Sequence, residues 1–175
     1  MNIIELLSDR NLKSIEKRKL VITGLLSKEL TIATLPQLND QQTGILLEAM
    51  EEISRKEAAI IDESWLKFAE NYVVSGNNTL KREAARVTGN IAHQFPEKLE
   101  CVIPKLLQNS ENESTVIRWS SGYSLGRIVQ IPKFAKSNLF EILSKIAENE
   151  QDNGVKNQYL NGLKKALKMR NNNSK

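Results

Sequence analysis

The sequence predicts an all-α chain: a single domain built as an α-solenoid, a stack of antiparallel helix pairs. Three observations carry this. Two stretches repeat at a constant offset of 37 residues, so that Lys81, Ala84, Gly89 and Ile91 fall on Arg118, Ser121, Gly126 and Ile128. Between them runs another apolar helix, with Leu99, Val102, Ile103, Leu106 and Leu107, and one helix pair per such interval is the period of a helical repeat array. Every segment from 41 to 168 also spaces its apolar residues at the α-helical period. Finally, aromatics are 5% of the 175 residues and glycines number eight, which suits packed helices better than a β-sandwich.

Taken in order, residues 2–8 hold Ile3, Ile4, Leu6 and Leu7, a short apolar opening. Residues 11–27 read as a weaker amphipathic helix with Leu12, Ile15, Ile22 and Leu26 on one side and Lys13, Lys17, Arg18 and Lys19 as a solvated basic face. In 30–38, β-branched Thr31, Ile32 and Thr34 precede Pro36, which argues for an irregular or short helical piece. Residues 1–38 are therefore assigned to N-terminal capping helices.

Asn39 with Gln42 three residues on has the form of a capping box. The helix it opens, about 41–56, presents Ile45, Leu46, Ala49, Met50 and Ile53; its partner, about 58–74, presents Ile61, Trp65, Phe68, Ala69, Tyr72 and Val73. Ser75-Gly76-Asn77-Asn78 stops that helix, with Gly76 suited to a left-handed C-terminal position. The next helix, about 79–94, carries Leu80, Ala84, Val87, Thr88 and Ile91, and Phe95-Pro96 ends it. A helix over 97–109 contains Pro104, which is expected to remove one hydrogen bond and bend it. After the polar turn 109–113, a helix over about 114–130 buries Ile117, Ser121, Leu125 and Ile128, with Gly122 and Gly126 permitting close helix contact. Ile131-Pro132 repeats the earlier stop. Leu139, Phe140, Ile142, Leu143, Ile146 and Ala147 form the next helix; Val155, Tyr159, Leu163, Ala166 and Leu167 form the last. The repeats span 39–170, and 171–175 reads as a polar, disordered tail.

Composition excludes several classes. No apolar run approaches the ~18–20 residues of a membrane span. The single Cys101 rules out an internal disulfide framework and reads as a small buried hydrophobe beside Leu99 and Val102. The opening residues lack the basic region and cleavage site of a signal peptide, so a cytoplasmic monomer is expected. The net charge of +4 is too modest to imply nucleic acid by itself. It is unevenly spread: residues 41–75 carry three basic and seven acidic side chains, residues 131–175 nine basic and four acidic.

Residues 99–128 resemble a HEAT repeat of the armadillo-like helical kind. That family has a bent first helix containing Pro, a turn with Asp, and a second helix opening Val-Arg. Here Pro104 is followed eight residues later by Asn112 and six after that by Arg118, which Ile117 precedes. Asn112 stands in place of the family's Asp, which leaves Glu113 as the carboxylate for an Asp–Arg-type ladder between repeats. The resemblance extends loosely over about 40–168; Lys81 and Lys156 stand where Arg is usual. It implies a right-handed stack whose second helices line a concave side, and scaffolds that bind proteins, with a minority binding nucleic acid.

With the buried side of each second helix fixed, its other side follows from 3.6 residues per turn. Around 114–130 that side holds Trp119, Tyr123, Arg127 and Gln130; the corresponding stripes hold Arg82, Arg86, Asn90 and His93, then Asn157, Asn161 and Lys165, with Glu48 and Glu52 one helix earlier. Planar Arg beside Tyr and Trp suits anions, peptides or bases. Arg82, Arg86, Trp119, Tyr123 and Arg127 are the candidate partner-binding residues, expected to converge with no acidic residue interleaved. The competing interpretation is that Trp119 packs against a neighbouring helix and the charges only solvate the surface. Glu48, Glu51 and Glu52 read as solvated, and Trp65 as core. His93 has no Cys or carboxylate at metal-ligand spacing, and neither a phosphate-cradling glycine loop nor a Ser/His/Asp set occurs. No catalytic residue, metal or cofactor is therefore predicted. The expected function is a non-enzymatic scaffold holding a protein or peptide. The alternative is a nucleic-acid binder related to the HEAT-like glycosylases of alkylated bases, which use aromatics and an Asp in the cleft. Trp119 and Tyr123 match the aromatics, but no Asp lies within a helical turn of either.

Overall fold

A computed structural model describes residues 1–56 and 60–172. Ten α-helices follow one another among the described residues: α1 Ile3–Ser8, α2 Ser14–Leu26, α3 Asp40–Ser54, α4 Glu63–Tyr72, α5 Asn78–Ile91, α6 Val102–Asn109, α7 Thr115–Ile128, α8 Pro132–Ala135, α9 Leu139–Asn149 and α10 Asn153–Asn172. Single 3₁₀ turns occupy Ile32–Thr34, Ala92–Gln94 and Pro96–Lys98, and no strand occurs among the described residues. The expected start of the helix before Gly76, near 58, falls on residues 57–59, which lie outside the described residues. Of the expected polar tail, 173–175 also lie outside them, while Asn171 and Asn172 continue α10.

Side-chain caps start several of these helices. Asn39 and Gln42 form the expected capping box: Gln42 N donates to Asn39 Oδ1 at 3.0 Å and Asn39 N to Gln42 Oε1 at 3.1 Å. Asp62 accepts from Ser64 N at 2.8 Å, and Asn77 from Thr79 N at 3.0 Å. Pro132 occupies the first position of α8, where its missing N–H is not needed.

Packing follows chain order. α3 packs on α5, α5 on α7 and α7 on α10, while α4, α6 and α9 pack on α5, α7 and α10 respectively, and α2 lies on α3. The expected core positions of α3, α5 and α7 are all buried, and Trp65 is core. The contacts of α7 are unusually close. A Cβ on Gly89 would stand 2.8 Å from Ser124 Cα, one on Gly126 would collide with the Gln158 carbonyl, and one on Gly162 with the Gly126 carbonyl. Real Cβ atoms essentially never approach backbone this closely, so hydrogen is the side chain that fits at these crossings.

Polar contacts link residues about one repeat interval apart. Asn109 Nδ2 donates to Val73 O at 2.6 Å, Lys105 Nζ to Glu70 Oε1 at 2.8 Å, and Asn77 Nδ2 to Asp40 Oδ2 at 3.2 Å. The Arg118 guanidinium binds the Glu150 carboxylate at 2.9 Å and the Asn112 and Glu113 carbonyls at 3.0 and 3.1 Å. The Glu113 side chain therefore does not take over the ladder position. The carboxylate that Arg118 binds is Glu150, between α9 and α10, whose side chain is 6% exposed.

Several expectations are corrected. Gly76 does not take a left-handed conformation: no described glycine has positive φ, and the left-handed residue is Lys28 (φ 61°), just after α2. The Val73 carbonyl near the end of α4 is satisfied by the Asn109 amide, so a glycine cap is unnecessary. Pro104 is the third residue of α6, in its first turn and not in its interior, a position where proline is tolerated. The buried side of α2 is Lys17, Val21, Gly24 and Leu25, leaving Ile15 52% exposed and Leu26 44%. Lys17 turns inward because its ammonium donates to Leu7 O at 2.7 Å, a contact that polar/apolar patterning scores backwards. Leu167 is 48% exposed, since Ala166 and Leu163 occupy the packed side of α10. Cys101 is exposed, on a turn whose neighbours Leu99 and Val102 point inward.

Three substitutions check this packing. Gly162→Ala should destabilise by about 1–3 kcal/mol in chemical denaturation, because α10 must move off α7. Gly76→Ala should be neutral or stabilising by up to about 1 kcal/mol, since nothing lies within 4 Å of its added Cβ. Arg118 holds the Glu150 carboxyl below its ordinary 4.5, outweighing desolvation, so the pair's stabilisation is full above that value and is lost as pH falls through the lower, folded one. Glu150→Gln should therefore cost on the order of 1.5–3 kcal/mol at pH 7, and the gap to the natural chain should narrow as the solution is acidified below pH 4.5.

Candidate functional site

On α5, α7 and α10 the packed positions leave a common side. The side chains there are Arg82, Arg86 and Asn90 on α5, then His93 in the turn after it; Trp119, Tyr123 and Arg127 on α7, then Gln130; and Gln158, Asn161 and Lys165 on α10. Since α5, α7 and α10 are neighbours in that order, these residues form adjoining rows.

On α7 the row is a stack. The Trp119 and Tyr123 rings are 5.4 Å apart and nearly parallel, at 17°. One turn further, the Arg127 guanidinium carbon lies 4.5 Å from the Tyr123 ring centre, within cation–π range. Spacing of four residues puts successive members on the same helical face. The Tyr123 hydroxyl donates to Asn90 Oδ1 at 2.6 Å, and Asn90 Nδ2 donates to Ser54 Oγ at 2.9 Å. This chain of bonds ties α7 to α5 and α5 to the end of α3. Burial pushes the Tyr123 phenol above its ordinary value, so it stays protonated and donating across physiological pH. Trp119 packs against the core edge, half-buried, so the stack is partly structural as well as partly presented to solvent.

The five residues named from sequence do not all join the stack, although Arg86 also lies near Tyr123. Trp119, Tyr123 and Arg127 form it. Arg82 and Arg86 are drawn to carboxylates: Arg82 Nε donates to Glu83 Oε1 at 2.7 Å, and Arg86 donates to Glu51 Oε1 at 2.7 Å and Glu83 Oε2 at 3.2 Å. Arg55 also binds Glu51, at 2.9 Å. Glu51 is 5% exposed and Glu83 3%. The expectation of no interleaved acid is thus overturned, and so is the expectation that Glu51 is solvated. Burying a carboxylate is costly unless it is paired and hydrogen-bonded, and these two take three arginines. Sequence reasoning missed them because they stood next to exposed charges. The signal was present in the repeat: slid by 37, Glu51 falls on Thr88 and then Leu125, and Glu83 on Ser120, all buried positions.

Between α7 and α10 the same side opens into a cleft of about 220 Å³. Its walls are His93, Tyr123, Arg127, Gln130, Gln158, Asn161 and Lys165, and Gly126 and Gly162, the glycines of the close crossing, also line it. Arg127 makes no ion pair among the described residues. Desolvation, then the charges of Arg127 and Lys165, hold the His93 imidazole below its ordinary value, so it is neutral at physiological pH. Chemically the cleft offers a guanidinium, an ammonium, amides and a neutral imidazole, without a carboxylate in its lining.

No known family model matches this chain, and no curated protein matches it.

Glu51→Gln should cost about 1.5–3 kcal/mol, as loss of charge-assisted bonds does. Glu48→Gln, one third exposed and facing Arg18 at 3.5 Å, should cost under ~1 kcal/mol. Paired urea titrations of the two variants check the difference.

Proposed function

We propose that the chain is a non-enzymatic binding module, a short HEAT-like α-solenoid that holds a protein or peptide along the side shared by α5, α7 and α10. The observation that carries this reading is the Trp119–Tyr123–Arg127 stack, with a guanidinium that no described carboxylate neutralises. A rigid aromatic pair with an arginine is the composition of an interface hot spot. The solenoid part is supported by the packing order of α3, α5, α7 and α10. It is supported too by polar contacts such as Arg86 to Glu51, Asn90 to Ser54 and Asn109 to Val73, with separations of 35 or 36 residues. That is the spacing expected when each helix pair touches its neighbours. No helix among the described residues is long and apolar enough to cross a membrane, and the proposal places a monomer in the cytoplasm.

A nucleic-acid partner is the weaker reading. Arg82 and Arg86 sit against buried carboxylates, which leaves a short run of cations for phosphates. Glu48 and Glu52 at the α3 end are paired with Arg18, so that end adds no uncommitted cation for phosphates. A glycosylase-like role finds further opposition in Glu51 and Glu83, since carboxylates held by arginines are poorly placed to assist base removal.

Selection of binders from a random peptide phage library on the purified chain tests the proposal. Trp119→Ala and Tyr123→Ala should each weaken the selected peptides by over ~2 kcal/mol, roughly thirtyfold. Peptides that bind equally well to both folded variants would place the site elsewhere. A salt-sensitive duplex DNA gel shift with no peptide binder would favour the nucleic-acid reading.

A further inference from the structure

We infer that the cleft between α7 and α10 is an oxyanion subsite, in which Arg127 and Lys165 take the side-chain carboxylate of an acidic peptide segment and His93 tightens the hold when protonated. This rests on the binding reading above and adds the chemistry of its ligand. The cleft brings Arg127 and Tyr123 from α7, Lys165 from α10 and His93 from the end of α5 to one opening, with Gln130, Gln158 and Asn161 around it. Two cations in one concave space without a lining carboxylate create a positive potential that an anion relieves. The Arg127 guanidinium is planar and is positioned over the Tyr123 ring, so its donors are preorganised for a planar acceptor.

Size and surroundings choose the ligand. At about 220 Å³ the cleft lies below the ~300 Å³ at which pockets for drug-sized molecules begin, and holds one side-chain end. The amide of Asn161, exposed on α10, and the half-buried amide of Gln158 beside it can meet the backbone of an extended peptide, which has both donors and acceptors. A nucleic-acid strand would have to continue along a row where Glu51 and Glu83 offset the arginines.

The charged and titratable groups that face His93 are Arg127 and Tyr123 on α7 and Lys165 on α10. The two cations disfavour the imidazolium. A bound carboxylate reverses part of that, so it raises the His93 pKa, and by linkage it binds more tightly as pH falls through that range. The added affinity is present below the free-state pKa and is lost above the bound-state pKa.

His93 is the single histidine of the chain, so its imidazole resonances report on the cleft without assignment ambiguity. The experiment is an NMR pH titration of the full chain alone and with millimolar N-acetyl-Ala-Glu-Ala-amide. The glutamine analogue, inorganic phosphate and a short DNA duplex serve as separate arms. The glutamate peptide should perturb His93 saturably, raise its pKa by about half a pH unit, and bind about threefold more tightly at acid than at alkaline pH. The glutamine analogue should do neither. Arg127→Gln should abolish the effect; Lys165→Gln, on an exposed position of α10, should weaken it at least threefold and carries the test if the first variant does not fold. Phosphate or DNA acting where the glutamate peptide does not would overturn the assignment in favour of that ligand. No saturable change in any arm, or one that persists in both variants, would overturn the subsite. If phage-selected peptides quench Trp119 fluorescence while His93 stays unmoved, the subsite fails and the binding reading survives. If they do neither, both fail.

Discussion

Close backbone contact along both sides of α7 is the constraint on which the rest of the molecule depends. Gly89 admits Ser124 on one side; Gly126 and Gly162 admit each other, and the Gln158 carbonyl, on the other. Separation between packed helices is set by the side chains at their crossing, and here those side chains are hydrogens and a serine. Such crossings tolerate little sliding, because a shift of one residue brings Leu125 or Tyr159, both fully buried, into space that holds only backbone. The register of α5, α7 and α10 is therefore fixed by what is missing from their sequences. Everything on the shared outer side inherits that register: Tyr123 meets Asn90 at 2.6 Å, and the cleft that contains Arg127 and Lys165 opens beside the same glycines.

The second organising feature is the buried charge between α3 and α5. Glu51 and Glu83 are almost fully enclosed and held by Arg55, Arg82 and Arg86. Desolvating such a cluster offsets much of its Coulombic attraction, so its presence is weak support for stability as such. It acts on geometry and field. The arginines are fixed in place, and two of their three charges are cancelled locally. The row thus passes from a neutralised polar end at α3 to a cationic end at α7 and α10.

Helix identity and the core were largely legible in the sequence, because apolar period and caps are local properties. Ile45, Leu46, Ala49, Met50 and Ile53, or Ile117, Ser121, Leu125 and Ile128, announce their buried face by spacing alone, and Asn39 with Gln42 announces a helix start. What was not legible depended on contacts across a repeat interval. The end of α4 needed no left-handed Gly76, because Asn109, 36 residues later, supplies the missing donor to Val73. Lys17 faces inward because the Leu7 carbonyl awaits it. Pro104 was placed in the right helix, but its effect depends on how many residues precede it, and helix boundaries are poorly marked by period. At the candidate site the aromatic–arginine row on α7 was readable from fours in the sequence. The commitment of Arg82 and Arg86 to Glu83 and Glu51 was not, because a charged residue in a buried register position looks exposed until its partner is brought beside it.

Native-state hydrogen exchange tests the central claim most directly: that α5, α7 and α10 form one rigid unit locked by backbone contact at α7. The slowest amides of the three helices should exchange through a single global opening, with one free energy and one denaturant dependence. Amides of α10 that exchange through a separate opening, at a free energy well below that of α5 and α7, would contradict it.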